Sequence, residues 1–227
     1  MAGGKTRLAG PITASDWAKL DARQAFSHIY RHRLWGGTGF YSGAGSHDPG
    51  IVTPYVDAIR TWAMGQGPLD AVDLGCGDFH VGAAVRPLFR DYVACDVVPD
   101  LIAHHQTGPH AGNVDFRCLD LARDPLPAGD VVFIRQVLQH LPNAMVQDLI
   151  PRLYAYRWLV LTEHLPSTPG FTLNLDKPIG PGIRLKIGSG IDLTAEPFLL
   201  RALEERVMCE VPQFGGLVRT TLYRLRP

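Results

Sequence analysis

The stretch Ala71-Val72-Asp73-Leu74-Gly75-Cys76-Gly77-Asp78-Phe79-His80-Val81-Gly82 decides how this 227-residue chain is read. Gly67 and Pro68 close the segment before it. Leu69, Ala71, Val72 and Leu74 then form an apolar run long enough for one buried strand. Gly75 and Gly77 follow at once, and Phe79 to Arg86 can begin a helix. Strand, glycine turn, helix is an order that brings backbone close to a ligand at a helix N-terminus. The spacing excludes two alternatives. No Gly-Lys-Ser/Thr follows, as a phosphate loop requires, and the third glycine of the dinucleotide fingerprint would fall at His80.

Three more apolar runs follow. Tyr92 to Asp96 ends in an acid about twenty residues past the glycines, where a ribose-binding carboxylate belongs. Val114 to Leu121 carries Asp120, and Asp130 to Ile134 leads into Arg135, Gln136 and His140. With the motif Asp73 to Asp78, this succession resembles the class I S-adenosylmethionine-dependent methyltransferases, in which four strand ends line one cofactor cleft in this order. The resemblance implies an α/β, Rossmann-like fold: a mixed seven-stranded sheet with helices on both faces, an N-terminal helical cap, and an insertion before a C-terminal hairpin. It implies S-adenosyl-L-methionine as cofactor and S-adenosyl-L-homocysteine as product. On that basis Gly75, Cys76, Gly77 and Asp78 pass beneath the methionine part and Asp73 orients its ammonium group. Asp96 accepts from both ribose hydroxyls, as an ionised carboxylate can. Asp120 and the Leu121 amide meet the adenine, which Val97 and Leu121 sandwich. Arg135 and Gln136 face the methionine end or the acceptor.

Composition narrows the partners. Twenty-two basic and 22 acidic residues give zero formal net charge, which argues against nucleic acid and for a small-molecule or saccharide acceptor. Four scattered cysteines lack metal-ligand spacing and suit a reducing compartment. No apolar stretch has transmembrane length, and residues 1–12 read as a flexible tail without a signal core. A soluble cytoplasmic protein without a membrane partner or metal is expected. His104, His105 and His110 read as an exposed histidine patch rather than a ligand set.

Residues 13–66 form the part before the core. A helix beginning near Asp16 places Trp17, Leu20, Ala25, Phe26, Ile29 and Tyr30 on one face. Trp35 to His47 then holds five glycines, with aromatics that a free linker would not carry, so an ordered loop is expected. It has two readings, a lid over the site or a contact in a homodimer. Tyr30, Trp35-Gly36-Gly37 and Ser42 to Ser46 also resemble the leader of a bacterial methyltransferase subgroup, whose substrates are surface glycans and small secondary-metabolite acids. A second helix covers Gly50 to Met64.

The core, residues 67–227, continues with a helix over Asn143 to Tyr154 and a fifth strand over Arg157 to Thr162. Glu163 and His164 at its carboxyl edge are expected to point into the site. Residues 166–191 form a Pro- and Gly-rich insertion with Lys177, Arg184 and Lys186, an expected acceptor-binding element. Glu205 to Val211 and Leu217 to Leu225 alternate as a terminal antiparallel hairpin.

Methyl transfer needs an in-line nucleophile about 3 Å from the methyl carbon, so positioning supplies much of the rate. A hydroxyl acceptor also needs a base, for which His140, His164 and Glu163 are candidates. A phosphonate, phosphate or carboxylate oxygen is already anionic and needs only cations and hydroxyls to hold it: Lys177, Arg184, Lys186, Arg135, Tyr30 and Trp35 are the expected binding set. The favoured reading is O-methylation of such an anion. The alternatives are a sugar hydroxyl with a histidine base, and a non-catalytic binding module that keeps the cofactor fold.

Overall fold

The computed structural model describes residues 13–227; the tail reading of residues 1–12 falls outside them. Seven strands form one sheet: β1 (Ala71–Leu74), β2 (Tyr92–Asp96), β3 (Asp115–Cys118), β4 (Val131–Arg135), β5 (Trp158–Pro166), β6 (Glu204–Gln213) and β7 (Gly216–Arg224). Their order is β3-β2-β1-β4-β5-β7-β6. The first five are parallel and β7 alone runs against its neighbours. The winding direction reverses between β1 and β4, and ligands of such sheets bind beyond the strand ends at that crevice.

The helices are α1 (Ala14–Trp17), α2 (Ala22–Arg31), α3 (Pro49–Met64), α4 (His80–Val85), α5 (Pro99–Gln106) and α6 (Asn143–Leu153). The single N-terminal helix expected from periodicity is two. Asp21 interrupts it, because its side chain accepts from the Gln24 amide while the Gln24 side chain accepts from the Asp21 amide, a reciprocal cap that starts α2 afresh. Ala22, Ala25, Phe26, Ile29 and Tyr30 then form one buried stripe. Asp48 caps α3 and Pro49 occupies its first turn, where a missing N–H is harmless.

Two apolar layers enclose the sheet. One joins α2 and α6 to Val72, Leu74, Ile134, Leu159 and Leu161; the other joins α3 to Ala71, Phe133, Trp158 and Val160. Since strand side chains alternate, Asp73, Arg135, Thr162 and His164 fall on the α3 face and Glu163 on the other. The irregular segment after β5 runs from Ser167 to Leu203, further than the insertion read from sequence. Asn174, buried with φ +54°, ties it together: its amide donates to the carbonyls of Asp192 and Glu196, and its oxygen accepts from Asp192 N. Ile179, Ile191, Leu193, Phe198 and Leu200 from this segment join the core. No described helix is long and apolar enough to cross a membrane.

Candidate active site

The glycine turn is held from both sides. Gly75 (φ +88°) and Gly77 (φ +55°) adopt the left-handed backbone that favours glycine. The Gly75 and Cys76 amides donate to Cys95 O at 2.8 and 2.9 Å, prolonging the β1–β2 ladder into the turn. Gly77 N donates to Asp96 Oδ2 at 3.1 Å, and Val98 N donates to Asp96 Oδ1 at 3.1 Å. His105 Nε2 donates to Gly77 O at 2.8 Å. This buried histidine, stacked on Phe116, departs from the exposed patch expected of His104, His105 and His110; the patch reading treated neighbours alike, whereas one helix position faces in.

Asp96 thus stands fixed at the cleft with a second lone pair free on each oxygen. Burial raises its pKa to about 6 despite those amide bonds. Asp73, deeper, is raised to about 7 by burial, against the lowering effect of the Tyr92 hydroxyl that donates to it at 3.2 Å. Both line one cavity of about 340 Å³ with Gly75, Cys76, Gly77, Asp78, Val97, Asp120 and Leu121. The sequence-derived cofactor residues, Arg135 and Gln136 among them, therefore all line this cavity.

The loop between α2 and α3 is ordered over this turn. Ser42 N donates to Asp78 Oδ2 at 2.7 Å, Asp78 N donates to Ser42 Oγ at 2.8 Å, and Tyr30 OH lies 2.9 Å from the same Oγ. His47 Nε2 closes the set at 2.6 Å from Asp78 Oδ2. Trp35 Nε1 donates to Pro181 O at 3.3 Å, which ties the loop to the segment after β5. The loop therefore packs on the glycine turn of its own chain. A β-carbon on Gly77 would collide with the Ser42 hydroxyl, so the loop lies directly against the turn.

Across the cavity stands Arg135. Its guanidinium donates to Gly45 O at 2.6 Å, to Ser46 Oγ at 3.2 Å and to Gln136 Oε1 at 3.3 Å, and it sits 5.2 Å over the Tyr55 ring. Its Nε is buried without a partner, and no described carboxylate pairs with it. Gln139 Oε1 and Gln213 Oε1, from two other cavity-lining side chains, are also buried and unpartnered. Buried polar atoms without partners are uncommon in folded proteins, and three of the eight among the described residues belong to side chains that line this cavity.

The insertion's cations do not take the expected place. Arg184 is fully buried and donates to the carbonyls of Leu175 and Leu141, holding the segment after β5 to the turn before α6. Lys177 Nζ donates to His140 O and Pro178 O, and burial lowers its pKa to about 8. Lys186 is exposed on a turn. None lines the cavity, whereas Tyr30, Trp35, Arg135 and Gln136 do. The reason is local: this irregular segment and residues 140–141 beside it leave carbonyls unpaired, and Lys177 and Arg184 satisfy four of them. Glu163 is likewise turned away, accepting from the amides of Leu138 and Gln139 at 2.8 and 3.2 Å.

The two histidines differ. His140 donates from Nδ1 to Gly180 O at 3.2 Å, beside Trp35, and burial drives its pKa down to about 3. A ring so reluctant to take a proton is a poor base, so the catalytic role expected of it is replaced by a packing role. His164 donates from Nε2 to Gln213 O at 3.0 Å, leaving Nδ1 as its acceptor, and burial lowers its pKa. It lines the cavity with Gln213 and Phe214, two residues the sequence reading passed over in the β6–β7 turn. An aromatic at the tip of a two-residue hairpin, where polar residues are the rule, was the available signal.

Comparison with known proteins fits this geometry. Residues 72–156 match the family model described as a methyltransferase domain. No curated protein matches the chain. Among solved structures, the N-methyltransferase NodS from Bradyrhizobium japonicum, in complex with S-adenosyl-L-homocysteine, superposes with a TM-score of 0.63 at 14% identity, over 86% of this chain and 97% of that one. This is the class I methyltransferase fold. The magnesium protoporphyrin IX methyltransferase of Synechocystis, with bound S-adenosyl-L-methionine, gives 0.57 at 15% identity, covering 90% of this chain and 98% of that one. Human N-acetylserotonin methyltransferase, in complex with the same molecule, gives 0.53 at 16% identity, over 91% of this chain and 60% of that one. In this methyltransferase fold the cavity described above occupies the end of the sheet where the winding direction reverses.

Proposed function

We propose that the protein is an S-adenosylmethionine-dependent methyltransferase acting on an oxygen of a small anionic metabolite, a phosphonate or phosphate first among them. The observation that carries the acceptor half is Arg135: a half-buried cation on the cavity wall, without a paired carboxylate and with a buried, unpartnered Nε. A guanidinium in that state favours an oxyanion, because its Nε is already desolvated and its planar fork matches two oxygens. The cations of the insertion no longer support this reading; Arg135 with Ser46 does.

The residues present suit the methyl donor. Asp96 offers two fixed carboxylate lone pairs to a diol, and Val97 and Leu121 offer apolar faces to a flat ring. The sulfonium of the bound donor supplies a methyl group open to in-line displacement. The protein's part is to hold an oxygen in line and exclude water. The lid made by Ser42, Asp78, Tyr30 and His47 excludes water, and Arg135, through Gly45 and Ser46, couples that lid to the anion. An anionic oxygen needs no base. One of its oxygens must stay clear of the guanidinium to remain nucleophilic.

His164 supports a second reading, a sugar-type hydroxyl as acceptor, since its Nδ1 is free to take a proton on the same sheet face as Arg135. The pH profile separates the two. A histidine-dependent rate falls as pH drops through the ring's pKa, which burial holds below the ordinary 6.5, whereas an anionic acceptor shows no such limb unless its own pKa lies there. The deciding experiment is calorimetric titration with S-adenosyl-L-methionine, then a methyl-transfer assay on phosphonates and carboxylates with wild type and Arg135→Gln. Donor binding with turnover lost in Arg135→Gln is expected. No donor binding at millimolar concentration would leave only a binding module with a borrowed fold.

A further inference from the structure

The acceptor end of the cavity carries more than a cation. Arg135 and Thr162 are paired in the β4–β5 register, and His164 lies two residues further along β5, so Arg135 and His164 project from the same sheet face at neighbouring strand ends. The β6–β7 turn folds over them. Phe214 (φ +50°) and Gly215 (φ +74°) form a two-residue hairpin turn with both residues left-handed, the geometry that matches strand twist. That turn lays the Phe214 ring 6.1 Å from the His164 ring, and the Gln213 carbonyl fixes His164 Nε2. Phe214 is 71% exposed although it lines the cavity, so it stands at the rim. Gln213 Oε1 lies just inside it, buried, with no protein partner.

We propose that Gln213 is a specificity-determining residue: the acceptor carries, next to its anionic group, a hydroxyl that the Gln213 amide reads, with Phe214 closing over the pair. The inference rests on the anionic-acceptor reading above and names the substrate class within it, hydroxylated phosphonates or hydroxy acids. Several observations converge on a hydroxyl. An unpaired amide oxygen requires a donor. A hydroxyl both donates and accepts, so it satisfies the amide in either flipped orientation and can also meet His164 Nδ1. An ammonium would donate equally well, but the unpaired Arg135 guanidinium on the same wall repels it. A methyl in that place would leave the amide buried and unsatisfied, which is the kind of mismatch that discriminates between substrates most strongly.

Two nearly isosteric pairs test this: hydroxymethylphosphonate against ethylphosphonate, and glycolate against propionate. Dissociation constants are measured by calorimetry on the protein saturated with S-adenosyl-L-homocysteine. Wild type should bind the hydroxylated member at least tenfold more tightly. Gln213→Met should lose that preference while binding ethylphosphonate and S-adenosyl-L-homocysteine as wild type does, the latter showing that the variant is folded. Equal affinity for both members in wild type, or a preference that survives in Gln213→Met, overturns the role of Gln213 and leaves the anionic reading standing. Failure of every anion to bind a protein that holds S-adenosyl-L-homocysteine overturns the anionic reading and this one with it.

Discussion

On the cofactor wall of the cleft, charged side chains face the cavity; on the wall supplied by the segment after β5, they face the protein. Asp96 and Asp73 stand at strand ends whose backbone is already satisfied by the sheet, so their oxygens are left for a ligand. Arg184 and Lys177 come from chain with no sheet or α-helix, and each is consumed by one carbonyl of that segment and one of the turn at residues 140–141. Regular structure frees a charge for chemistry, and irregular structure employs it. Arg135, at the end of β4, belongs with the first group although it too is partly buried.

Arg184→Met attacks that contrast where the expected effect is largest. It leaves the Leu141 and Leu175 carbonyls unpaired in a buried site, which costs about 3 kcal/mol of stability. Urea unfolding should show this, while the folded variant binds S-adenosyl-L-homocysteine within about twofold of wild type, well under 1 kcal/mol. A variant of unchanged stability that loses acceptor binding would return Arg184 to the role the sequence suggested.

Asp96→Asn comes next, at about 100-fold in S-adenosyl-L-homocysteine affinity, because a charge-assisted pair of hydrogen bonds becomes a neutral one. The wild-type affinity should also depend on pH. The carboxyl of the ligand-free protein titrates near pH 6, raised by burial, and the ionised form is the one that binds a diol. The part of the affinity due to Asp96 is therefore level above that pH and declines about tenfold per unit below it, with Asp73, raised to about 7 by burial, titrating just above. Calorimetry at pH 5, 6 and 7.5 checks the slope. A flat profile would remove Asp96 from the ribose.

His140 provides a smaller and different signal, in stability rather than binding. Its pKa is about 3 in the folded protein against an ordinary 6.5, so the unfolded chain binds the extra proton. Stability from this residue is intact above pH 6.5, falls as pH drops through that value and levels off near pH 3. Between pH 7 and 5 the loss is about 2 kcal/mol. Wild type should lose that much more than His140→Phe over the same interval. Parallel losses would mean that the ring takes up its proton in place, as a working base must.

The same contrast explains what could be read in advance. Strand ends, the glycine turn and the acids at Asp73, Asp96 and Asp120 were legible because each depends on a few adjacent residues: an apolar run, a left-handed turn, an acid where the run stops. The helix break at Asp21 was just as local, and its Asp-x-x-Gln cap was overlooked in favour of periodicity. The acceptor end was not legible, because it is assembled from distant pieces. Arg135, His164 and Gln213 come to one cavity only through strand order and register, which a single sequence does not display. For the same reason, three cations in one insertion looked like a binding set when the carbonyls that Lys177 and Arg184 serve were out of view.

The lid tests the contrast at its weakest point, since it is irregular chain that nonetheless serves the ligand side. Its hold on the glycine turn is the reciprocal bonding of Ser42 with Asp78, supported by Tyr30 and His47. Ser42→Ala removes the hydroxyl that accepts from Asp78 N and meets Tyr30 OH, but keeps the Ser42 amide on Asp78. One net hydrogen bond of this kind is worth about 1 kcal/mol. If closure of the lid retains the bound ligand, that energy is lost from the closed state alone. The S-adenosyl-L-homocysteine dissociation rate should then rise about fivefold, with its association rate nearly unchanged. Stopped-flow displacement resolves the two rates. A change confined to association would mean that Ser42 shapes the open approach to the turn, and the lid would have to be held by Trp35 at the Pro181 carbonyl instead.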